Sequence, residues 1–389
     1  MNQQILIHYG EIGLKGGNKE YFVEKLRNNI VVKLQERLRQ TVSVVYSIGR
    51  IIVKLPENFE KQIYIDVLSK IFGIKNFSFV YEGSTDLETL GEEIFENLDL
   101  DGVETFCVRV KRSMDMPFSS VEAERELGAI LLRKGIEKRV KMKNPDLEIN
   151  VEFMNQHGYF SFKKYQGQGG FPANSQSRLV AMISAGIDSP VAAFRMMRRG
   201  ARIIFVHFHG YPHTDKDEME QVKELVKILS DYQFSTRLLL VPFGKIQKDI
   251  AMNLDVPGRL RTILYRRMML RITEKFALNE GARGIVTGDS FGQVASQTPD
   301  NIAAIHEASR IPLFQPLIAY DKEEIVKISE EIGTYEISKL PCKDTCAMFQ
   351  PKNPELKAKI SEIQDLEKNL PIDDWIKEAL SGPEIVDFN

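Results

Sequence analysis

The sequence predicts an α/β protein of 389 residues in which two small α+β units precede a larger domain built on a parallel sheet. Two observations support this prediction. From residue 179 onward, short apolar strands alternate regularly with helices, a pattern typical of a parallel sheet covered by helices on both faces. Before that point the alternation is less regular, and it ends at a stretch rich in glycine, proline and serine over 166–178, which we interpret as a linker.

The first unit has the order strand, helix, strand, strand, helix, strand, which is the ferredoxin-like order. Its predicted elements are strand 5–9, helix 19–39, strands 42–46 and 50–55, helix 60–72 and strand 77–81. The second unit has helix 86–97, strand 105–112, helix 119–141 and strands 147–153 and 157–163. We predict the helices from apolar residues at helical spacing and the strands from β-branched runs.

The third region supplies the regular alternation. Its predicted strands are 179–183, 202–208, 236–241 and 284–288, and its predicted helices are 190–199, 216–230 and 258–279. In parallel sheets of this kind, ligands bind at the carboxyl ends of the strands, so we look for chemistry there. The tail over 352–389 is predicted to be helical and acidic.

Composition excludes several other classes of protein. Hydrophobic residues make up 43% of the chain and charged residues 27%, which is ordinary for a globular protein with a large core. Three cysteines in so long a chain exclude a disulfide scaffold and fit a reducing cytoplasm. The start of the chain does not resemble a signal peptide, and no apolar stretch approaches the roughly 20 residues that span a bilayer. We therefore expect a cytoplasmic protein with no membrane partner.

The net charge of −2 is the sum of segments of opposite sign. Residues 105–178 carry +5 and residues 179–283 carry +6, whereas 61–104 carry −7 and 284–389 carry −9. Two basic clusters stand out because such groups can neutralise phosphates. They are Arg133, Lys134, Lys138, Arg139, Lys141 and Lys143, and then Arg259, Arg261, Arg266, Arg267 and Arg271. Blocks of alternating charge are also typical of solvated helix faces, so the charge pattern alone leaves both interpretations open.

The loop after strand 179–183 has the composition of a phosphate site. Residues 184–189 read SAGIDS, and Pro190 suits the first turn of the helix that follows. Small residues let backbone N–H groups and the helix N-terminus face an anion, and the two serine hydroxyls can donate to phosphate oxygens. Asp188 is then expected to hold Mg²⁺ together with the phosphates. Taken alone, the loop could also be an ordinary turn between a strand and a helix.

This loop resembles the PP-loop, Ser-Gly-Gly-x-Asp-Ser, of enzymes that split ATP into AMP and pyrophosphate, except that Ala185 replaces a glycine. No Walker-type phosphate loop occurs in the chain. Residues 287–298 (TGDSFGQVASQT), the linker, and residues 10–18 (GEIGLKGGN) extend the resemblance. Together, and in this order, they are similar to the tRNA 4-thiouridine synthetase (tRNA sulfurtransferase) family over essentially the whole chain.

The resemblance implies four regions. They are an N-terminal ferredoxin-like domain over 1–59, an RNA-binding THUMP domain over 60–165, the linker over 166–178 and a Rossmann-like PP-loop ATP pyrophosphatase domain over 179–389. It also implies an ATP site. The residues that would form it are Met182, Ile183, Ser184, Gly186, Asp188, Ser189, His207, Phe208, Arg266, Gly288 and Gln297. Our candidates for RNA contacts are basic residues of the region before the linker. They are Arg109, Lys111, Arg112, Arg133, Lys134, Lys138, Arg139 and Lys141.

The same resemblance places the catalytic cysteine at Cys346, because a thiolate can carry a transferable sulfur as a persulfide. Cys342, four residues earlier, is our candidate for a resolving thiol. A zinc site, or an iron–sulfur cluster that also uses Cys107, is another use of these cysteines. Many family members carry a rhodanese domain to which nothing in this sequence corresponds, so we expect a cysteine desulfurase or another persulfide donor to deliver the sulfur directly.

The implied reaction has two steps at the uridine in position 8 of tRNA. The uridine O4 attacks the α-phosphate of ATP, and the persulfide then displaces AMP to give 4-thiouridine. Family members dimerise, so a homodimer is expected. A sulfur relay to thiamine thiazole synthesis is known in the family, and the missing rhodanese domain argues against it here. The alternatives are another PP-loop tRNA thiolase, an amidotransferase-coupled synthetase, and a non-catalytic tRNA-binding module.

Overall fold

The computed structural model describes residues 3–113, 116–154, 156–212, 216–341, 349, 351 and 353–388. The chain divides into two compact units, Met1–Pro172 and Ala173–Asn389, each with its own sheet. No helix among the described residues has both the length and the apolar character needed to span a bilayer.

In the part of the first unit that the structure describes, a mixed sheet packs with four α-helices. Its described elements are β1 (Gln3–Tyr9), α1 (Lys19–Leu38), β2 (Val44–Ser47), β3 (Arg50–Lys54), α2 (Lys61–Leu68), β4 (Ile74–Gly83), α3 (Leu87–Glu96), β5 (Thr105–Arg112), α4 (Ser120–Arg133), β6 (Arg139–Val140), β7 (Leu147–Met154), β8 (His157–Ser161) and β9 (Tyr165–Gln166). The strand order is β2-β3-β1-β4-β8-β7-β5-β6, with β9 paired to β4. Strand β1 lies between antiparallel neighbours β3 and β4, as the ferredoxin-like order predicts.

Among the described residues, the two largest apolar cores on this sheet involve its helices. The first includes Ile30 of α1, Tyr64 of α2 and Phe77 of β4. The second includes Phe106 of β5 and Leu127 of α4. Helix α2 and strand β4 follow the expected boundary at residue 59, yet they pack into the same core as α1, because their apolar faces are buried against it.

Helix α4 is shorter than the sequence predicts. We expected a helix over 119–141, but it ends at Arg133. Gly135 adopts a φ of +102°, and the N–H of Ile136 donates to the carbonyl of Leu131 at 3.2 Å, which is the Schellman arrangement that ends helices. The residues that follow form β6, which pairs in parallel with β5. The basic residues of this segment therefore lie partly on a helix and partly at a sheet edge.

The second unit is a mostly parallel sheet with helices. Its described elements are β10 (Arg178–Met182), α5 (Asp188–Arg198), β11 (Arg202–His209), α6 (Asp217–Ser230), β12 (Thr236–Pro242), α7 (Gly244–Met252), α8 (Arg261–Asn279), β13 (Ile285–Val286), α9 (Pro299–His306), β14 (Leu313–Phe314), α10 (Lys322–Glu331), α11 (Tyr335–Ser338), α12 (Ile360–Glu367), α13 (Ile372–Ser381) and β15 (Glu384–Phe388). The strand order is β14-β13-β10-β11-β12-β15. The predicted parallel arrangement is confirmed for β10 to β14.

The tail differs from its prediction. It contains the helices α12 and α13, as expected, but it ends in a strand, β15, which pairs antiparallel with β12. Residues 384–388 read EIVDF, and their β-branched pair occupies the edge of the sheet beside β12. The helical prediction for the whole of 352–389 was therefore wrong for its last segment.

A buried group of charges connects α8 to α12. Arg267 is 1% exposed, and its Nε and Nη2 donate to the two oxygens of Glu367 at 2.8 and 2.7 Å. Arg271 donates to the same two oxygens at 2.6 and 2.7 Å. Burial alone would raise the pKa of Glu367, but the hydrogen bonds and charges of the two guanidinium groups outweigh it and lower the pKa. Glu367 engages both arginines within the fold, so they are weaker candidates for contacts with RNA phosphates than their place in the basic cluster suggests.

Replacing Arg267 with methionine should lower the free energy of unfolding by about 3–5 kcal/mol, because Glu367 would stay buried with one cation fewer. Chemical unfolding measures this change. The matched control is Arg259→Met. Arg259 pairs with Glu355 and Glu362 at a more exposed position, so its loss should change stability by about 0–1 kcal/mol. Equal effects in the two variants would contradict a structural role specific to Arg267.

Candidate active site

A cleft of about 490 Å³ opens at the carboxyl ends of β10, β11 and β13. This is the edge at which a parallel sheet of this kind binds ligands. Every residue predicted for the nucleotide site lines the cleft except Gly186. These lining residues are Met182, Ile183, Ser184, Asp188, Ser189, His207, Phe208, Arg266, Gly288 and Gln297. The structure therefore brings together four sequence segments that are far apart in the chain.

Hydrogen bonds within the loop hold it closed between β10 and α5. The backbone N–H of Ser184 donates to Ser189 Oγ at 2.9 Å, and that hydroxyl donates back to the Ser184 carbonyl at 3.2 Å. The two serine hydroxyl oxygens lie 3.1 Å apart. Helix α5 begins within the last residues of the loop, at Asp188, so its N-terminus faces the cleft. Free N–H groups at such an N-terminus attract anions.

The segment after β13 packs directly on this helix N-terminus. A Cβ atom added to Gly288 would lie 2.8 Å from the backbone nitrogen of Ser189 and 2.9 Å from its Cα. Both distances are shorter than real Cβ contacts, so only glycine fits at this position. Gly186 is different, because an added Cβ there would meet nothing closer than 3.5 Å.

Asp188 forms an ion pair that the sequence did not reveal. Its Oδ1 lies 2.6 Å from Nζ of Lys322, the first residue of α10, and its Oδ2 accepts from Gln293 Nε2 at 3.5 Å. A capping box fixes the start of α10, since Asp321 and Glu324 each accept from the other's backbone N–H. The capping box could be recognised in the sequence, but the carboxylate that Lys322 contacts lies 134 residues away.

Helix α5 holds the start of α10 at a second point. Arg195 lies seven residues after Asp188, on the same helix face. Its guanidinium lies 4.9 Å from the ring centre of Tyr320 and also donates to the Tyr320 hydroxyl. Ser290 adds a hydrogen bond of 3.1 Å to the Tyr320 carbonyl. The position of Lys322 beside Asp188 is thus supported by its neighbours.

Arg266 is oriented by a buried carboxylate. Asp289 is 5% exposed and accepts hydrogen bonds from Arg266 Nη2, from Thr287 Oγ1 at 2.7 Å and from Gln315 Nε2 at 3.0 Å. Burial alone would raise the pKa of Asp289, but the Arg266 charge and these hydrogen bonds outweigh it and hold the pKa below its usual range. Asp289 therefore stays ionised and holds the guanidinium at the wall of the cleft.

His207 is a neutral, buried group of the cleft wall. It is 1% exposed, and burial lowers its pKa to about 4. We assign its proton to Nδ1, because that atom lies 2.9 Å from the Ile183 carbonyl, which can only accept. Its Nε2 and the Oε1 of Gln297 are buried with no hydrogen-bond partner in the part of the chain that the structure describes. Two polar atoms of the lining are thus left for a ligand or a water.

The depressed pKa of His207 makes stability depend on pH. The unfolded chain binds a proton at this histidine below about pH 6.5, whereas the folded chain does so only below about pH 4. Folding stability should therefore fall by up to about 3 kcal/mol as the pH drops through this window. Urea unfolding at pH 7, 5.5 and 4.5 measures the slope. His207→Asn should flatten it, and an unchanged slope in the variant would contradict the assignment.

Several cleft residues were missed by the sequence reasoning, including four on helices. Thr262, Tyr265 and Met269 project from α8 with Arg266, and Glu218 comes from the first turn of α6. Their helical spacing was visible, but the same spacing also describes a face buried in the core. The neighbouring sequence does not distinguish a helix face that lines a cleft from one that is buried in the core.

The candidate RNA contacts fall into two groups. Arg109, Lys111 and Arg112 lie on β5, and Arg139 and Lys141 lie on or beside β6, its parallel neighbour. The other group ends α4, where ion pairs with α3 take up much of its charge. Those pairs are Arg133 with Glu88 and Lys134 with Glu92. Lys138 lies between the groups. The sheet-edge group is also partly paired, Arg109 with Glu148 and Arg139 with Glu104, so both groups remain candidates for RNA contacts.

The predicted sulfur carriers Cys342 and Cys346 lie outside the described residues. Before this segment, Ser338 Oγ donates to the carbonyl of Gly186 in the loop at 3.4 Å. Beyond the segment, Pro351 and Pro354 line the cleft. Cys107 is fully buried in β5, and burial raises the pKa of its thiol, which suits an inert core residue better than a cluster ligand.

Comparison with known proteins finds relatives that match nearly the whole chain. A probable tRNA sulfurtransferase of Moorella thermoacetica is 37% identical to this chain, covering 99% of it and 98% of the relative. One from Acetivibrio thermocellus is 38% identical, covering 99% of each. The chain belongs to the tRNA sulfurtransferase family. The family resemblance predicted from the motifs is thus confirmed.

Three family models match the sulfurtransferase chain in succession. The ThiI ferredoxin-like domain matches residues 4–78, the THUMP domain matches 84–163, and the model described as thiamine biosynthesis protein (ThiI) matches 174–372. Helix α2 and half of β4 therefore fall in the ferredoxin-like match. This chain also superposes on the crystal structure of a 4-thiouridine synthetase–RNA complex with bound ATP. The match covers 100% of each chain, with a TM-score of 0.86 and 34% sequence identity. The predicted fold class is confirmed.

Proposed function

We propose that this chain is an ATP-dependent tRNA uracil 4-sulfurtransferase that converts the uridine at position 8 of tRNA to 4-thiouridine in the cytoplasm. One observation carries the proposal. The PP-loop residues, Arg266 and the segment over 287–298 surround one cleft at the carboxyl edge of the sheet. The related 4-thiouridine synthetase was solved with RNA and bound ATP, which supports the same substrates here.

The cleft suits ATP as the co-substrate. Met182 and Phe208 supply apolar surface for a base, and the orphaned polar atoms of His207 and Gln297 can bond to the nucleotide. The backbone N–H groups of the loop over 184–189 and the N-terminus of α5 would hold phosphates, and Arg266 would add positive charge. The close contact of Gly288 with the loop keeps this cradle in place.

Mg²⁺ fits the cleft only together with phosphate oxygens. Among the described residues, no three His, Cys, Asp or Glu side chains are grouped so that they could hold a metal ion. Asp188 offers one carboxylate, and Mg²⁺ in nucleotide sites is commonly bound by one or two carboxylates plus the phosphates. The ion would supply neutralisation of phosphate charge. Lys322, which already contacts Asp188, would provide positive charge at the same place.

In the first step the uridine O4 attacks the α-phosphorus, and the bond to the β-phosphate breaks as pyrophosphate leaves. The loop N–H groups and Arg266 stabilise the charge that develops on the phosphoryl oxygens. In the second step the terminal sulfur of a Cys346 persulfide attacks C4, and AMP leaves. The Cys342 thiolate then cleaves the S–S bond, which releases 4-thiouridine. This leaves a Cys342–Cys346 disulfide that an external thiol must reduce.

The partners follow from this chemistry. A cysteine desulfurase or another persulfide carrier must load Cys346. The basic residues of β5 and β6 would bind tRNA phosphates, so tRNA affinity should weaken as salt rises. The enzyme would act as a homodimer, as the family does.

The deciding experiment follows two products. Purified protein is incubated with ATP, Mg²⁺, unmodified tRNA, cysteine and a cysteine desulfurase, and we measure pyrophosphate release and the tRNA nucleosides by mass spectrometry. We expect tRNA-dependent pyrophosphate and 4-thiouridine. Cys346→Ala should keep pyrophosphate release and lose 4-thiouridine. Cys342→Ser should accumulate tRNA that is still joined to Cys346 through the S–S bond, and it should not turn over repeatedly. A 2-thiouridine product would indicate another thiolase, and no tRNA-dependent pyrophosphate would indicate a binding module.

A further inference from the structure

A short exposed segment stands at the rim of the ATP cleft. Phe291 is 60% exposed and Val294 is 52% exposed, whereas Ser290 before them and Gln297 after them are almost fully buried. Val294 lines the cleft. An aromatic ring and a β-branched side chain are thus exposed together at the rim of a polar cleft, where both can contact a ligand.

Backbone hydrogen bonds hold this rim segment in a fixed shape. The N–H of Phe291 donates to the Ile318 carbonyl at 3.1 Å, and the N–H of Gly292 donates to the Gln297 carbonyl at 3.0 Å. Gly292 has a φ of +72°, which favours glycine and turns the chain. The exposed side chains therefore stand on a preformed turn.

The segment also contacts the reacting end of the cleft. Gln293 lies between the two apolar residues, and its Nε2 reaches Asp188 Oδ2 at 3.5 Å. An aromatic face next to an amide is a combination that binds single nucleobases, the ring by stacking and the amide by hydrogen bonds to the base edge. A uracil must be taken out of the RNA stack to reach the phosphates held beside Asp188.

We propose that residues 291–294 form the docking site for the flipped target uracil, with Phe291 stacking on the base and Gln293 bonding to its edge. This inference rests on the proposed function, because it takes the substrate to be a tRNA uridine. It adds the residues that select and orient the base. Stacking can occur without strong sequence preference, so the amide of Gln293 would supply the discrimination.

The test separates base docking from binding of ATP and of the tRNA body. For Phe291→Ala we expect kcat of tRNA-dependent pyrophosphate release to fall about tenfold to a hundredfold. The Kd for ATP alone and the Kd for tRNA should change less than about twofold, because phosphate contacts dominate tRNA affinity. Phe291→Tyr keeps a stacking ring and should restore most of the rate. Leu254→Ala, a fully exposed apolar residue outside the cleft lining, is the matched control and should behave as wild type.

Several results would overturn the inference. Wild-type kcat in Phe291→Ala would do so, and so would a loss that Phe291→Tyr does not rescue. If pyrophosphate release stayed normal and only sulfur transfer from the desulfurase fell, Phe291 would contact the donor protein and not the base. If the wild-type enzyme released no tRNA-dependent pyrophosphate, the proposed function and this inference would both fail, which distinguishes that case from the others.

Discussion

Replacing Asp188 with asparagine is expected to lower tRNA-dependent pyrophosphate release at least about a hundredfold while leaving the Kd for tRNA unchanged. Asparagine keeps the size of the side chain and can still accept from Gln293. It removes the negative charge that pairs with Lys322 at 2.6 Å and that would hold a cation at the phosphates. Steady-state kinetics with saturating ATP and tRNA measures the effect.

The matched control for this variant is Asp217→Asn. Asp217 is also the first residue of a helix that follows a strand of the same sheet, but it is exposed and does not line the cleft. It should retain wild-type activity. If Asp188→Asn kept more than half of the wild-type rate, the carboxylate charge would have no catalytic part. Lys322→Met gives a further comparison, because a loss as large as that of Asp188→Asn would mean that the pair acts as a unit.

Replacing Gly288 with alanine should weaken ATP binding by about tenfold to a hundredfold. The new Cβ would lie 2.8 Å from the backbone nitrogen of Ser189, so either the segment after β13 or the N-terminus of α5 must move. Overpacking of this kind costs about 1–3 kcal/mol, and here the displaced atoms form the phosphate cradle. Calorimetry with ATP in the absence of tRNA measures the affinity directly.

Gly258→Ala is the control for the added methyl group. Gly258 starts a short 3-10 helix in the same unit, and a Cβ there would meet nothing within 4 Å. Its ATP affinity should be that of the wild-type protein. Normal ATP affinity in Gly288→Ala would show that the loop relaxes at no cost, and the steric argument would then fail. Comparing the two variants thus separates the effect of a clash with the loop from the effect of replacing a glycine as such.

The local patterns of the sequence were sufficient for most of the fold. The alternation of strands and helices from residue 179 predicted the parallel sheet, and β10 to β14 pair in parallel as expected. Local patterns failed where a helix end depended on one backbone conformation, as at Gly135, and where a strand needed a partner already in place, as at β15. The end of α4 and the pairing of β15 both depend on backbone conformation and backbone hydrogen bonds, which the spacing of apolar side chains does not reveal.

The candidate site divides in the same way. The sequence by itself identified the loop over 184–189, the segment over 287–298 and the family, because these are short runs whose chemistry is written in adjacent residues. Only the tertiary structure decided that Lys322 faces Asp188, since the two are separated by 134 residues.

Tertiary structure also separated Arg266 from Arg267. They are adjacent in a basic run, but successive helical residues point about 100° apart. One therefore faces the cleft beside Asp289, while the other is buried against Glu367. The sequence shows that both arginines carry a positive charge. The packing of α8 between the cleft and the C-terminal helices determines which carboxylate each arginine contacts.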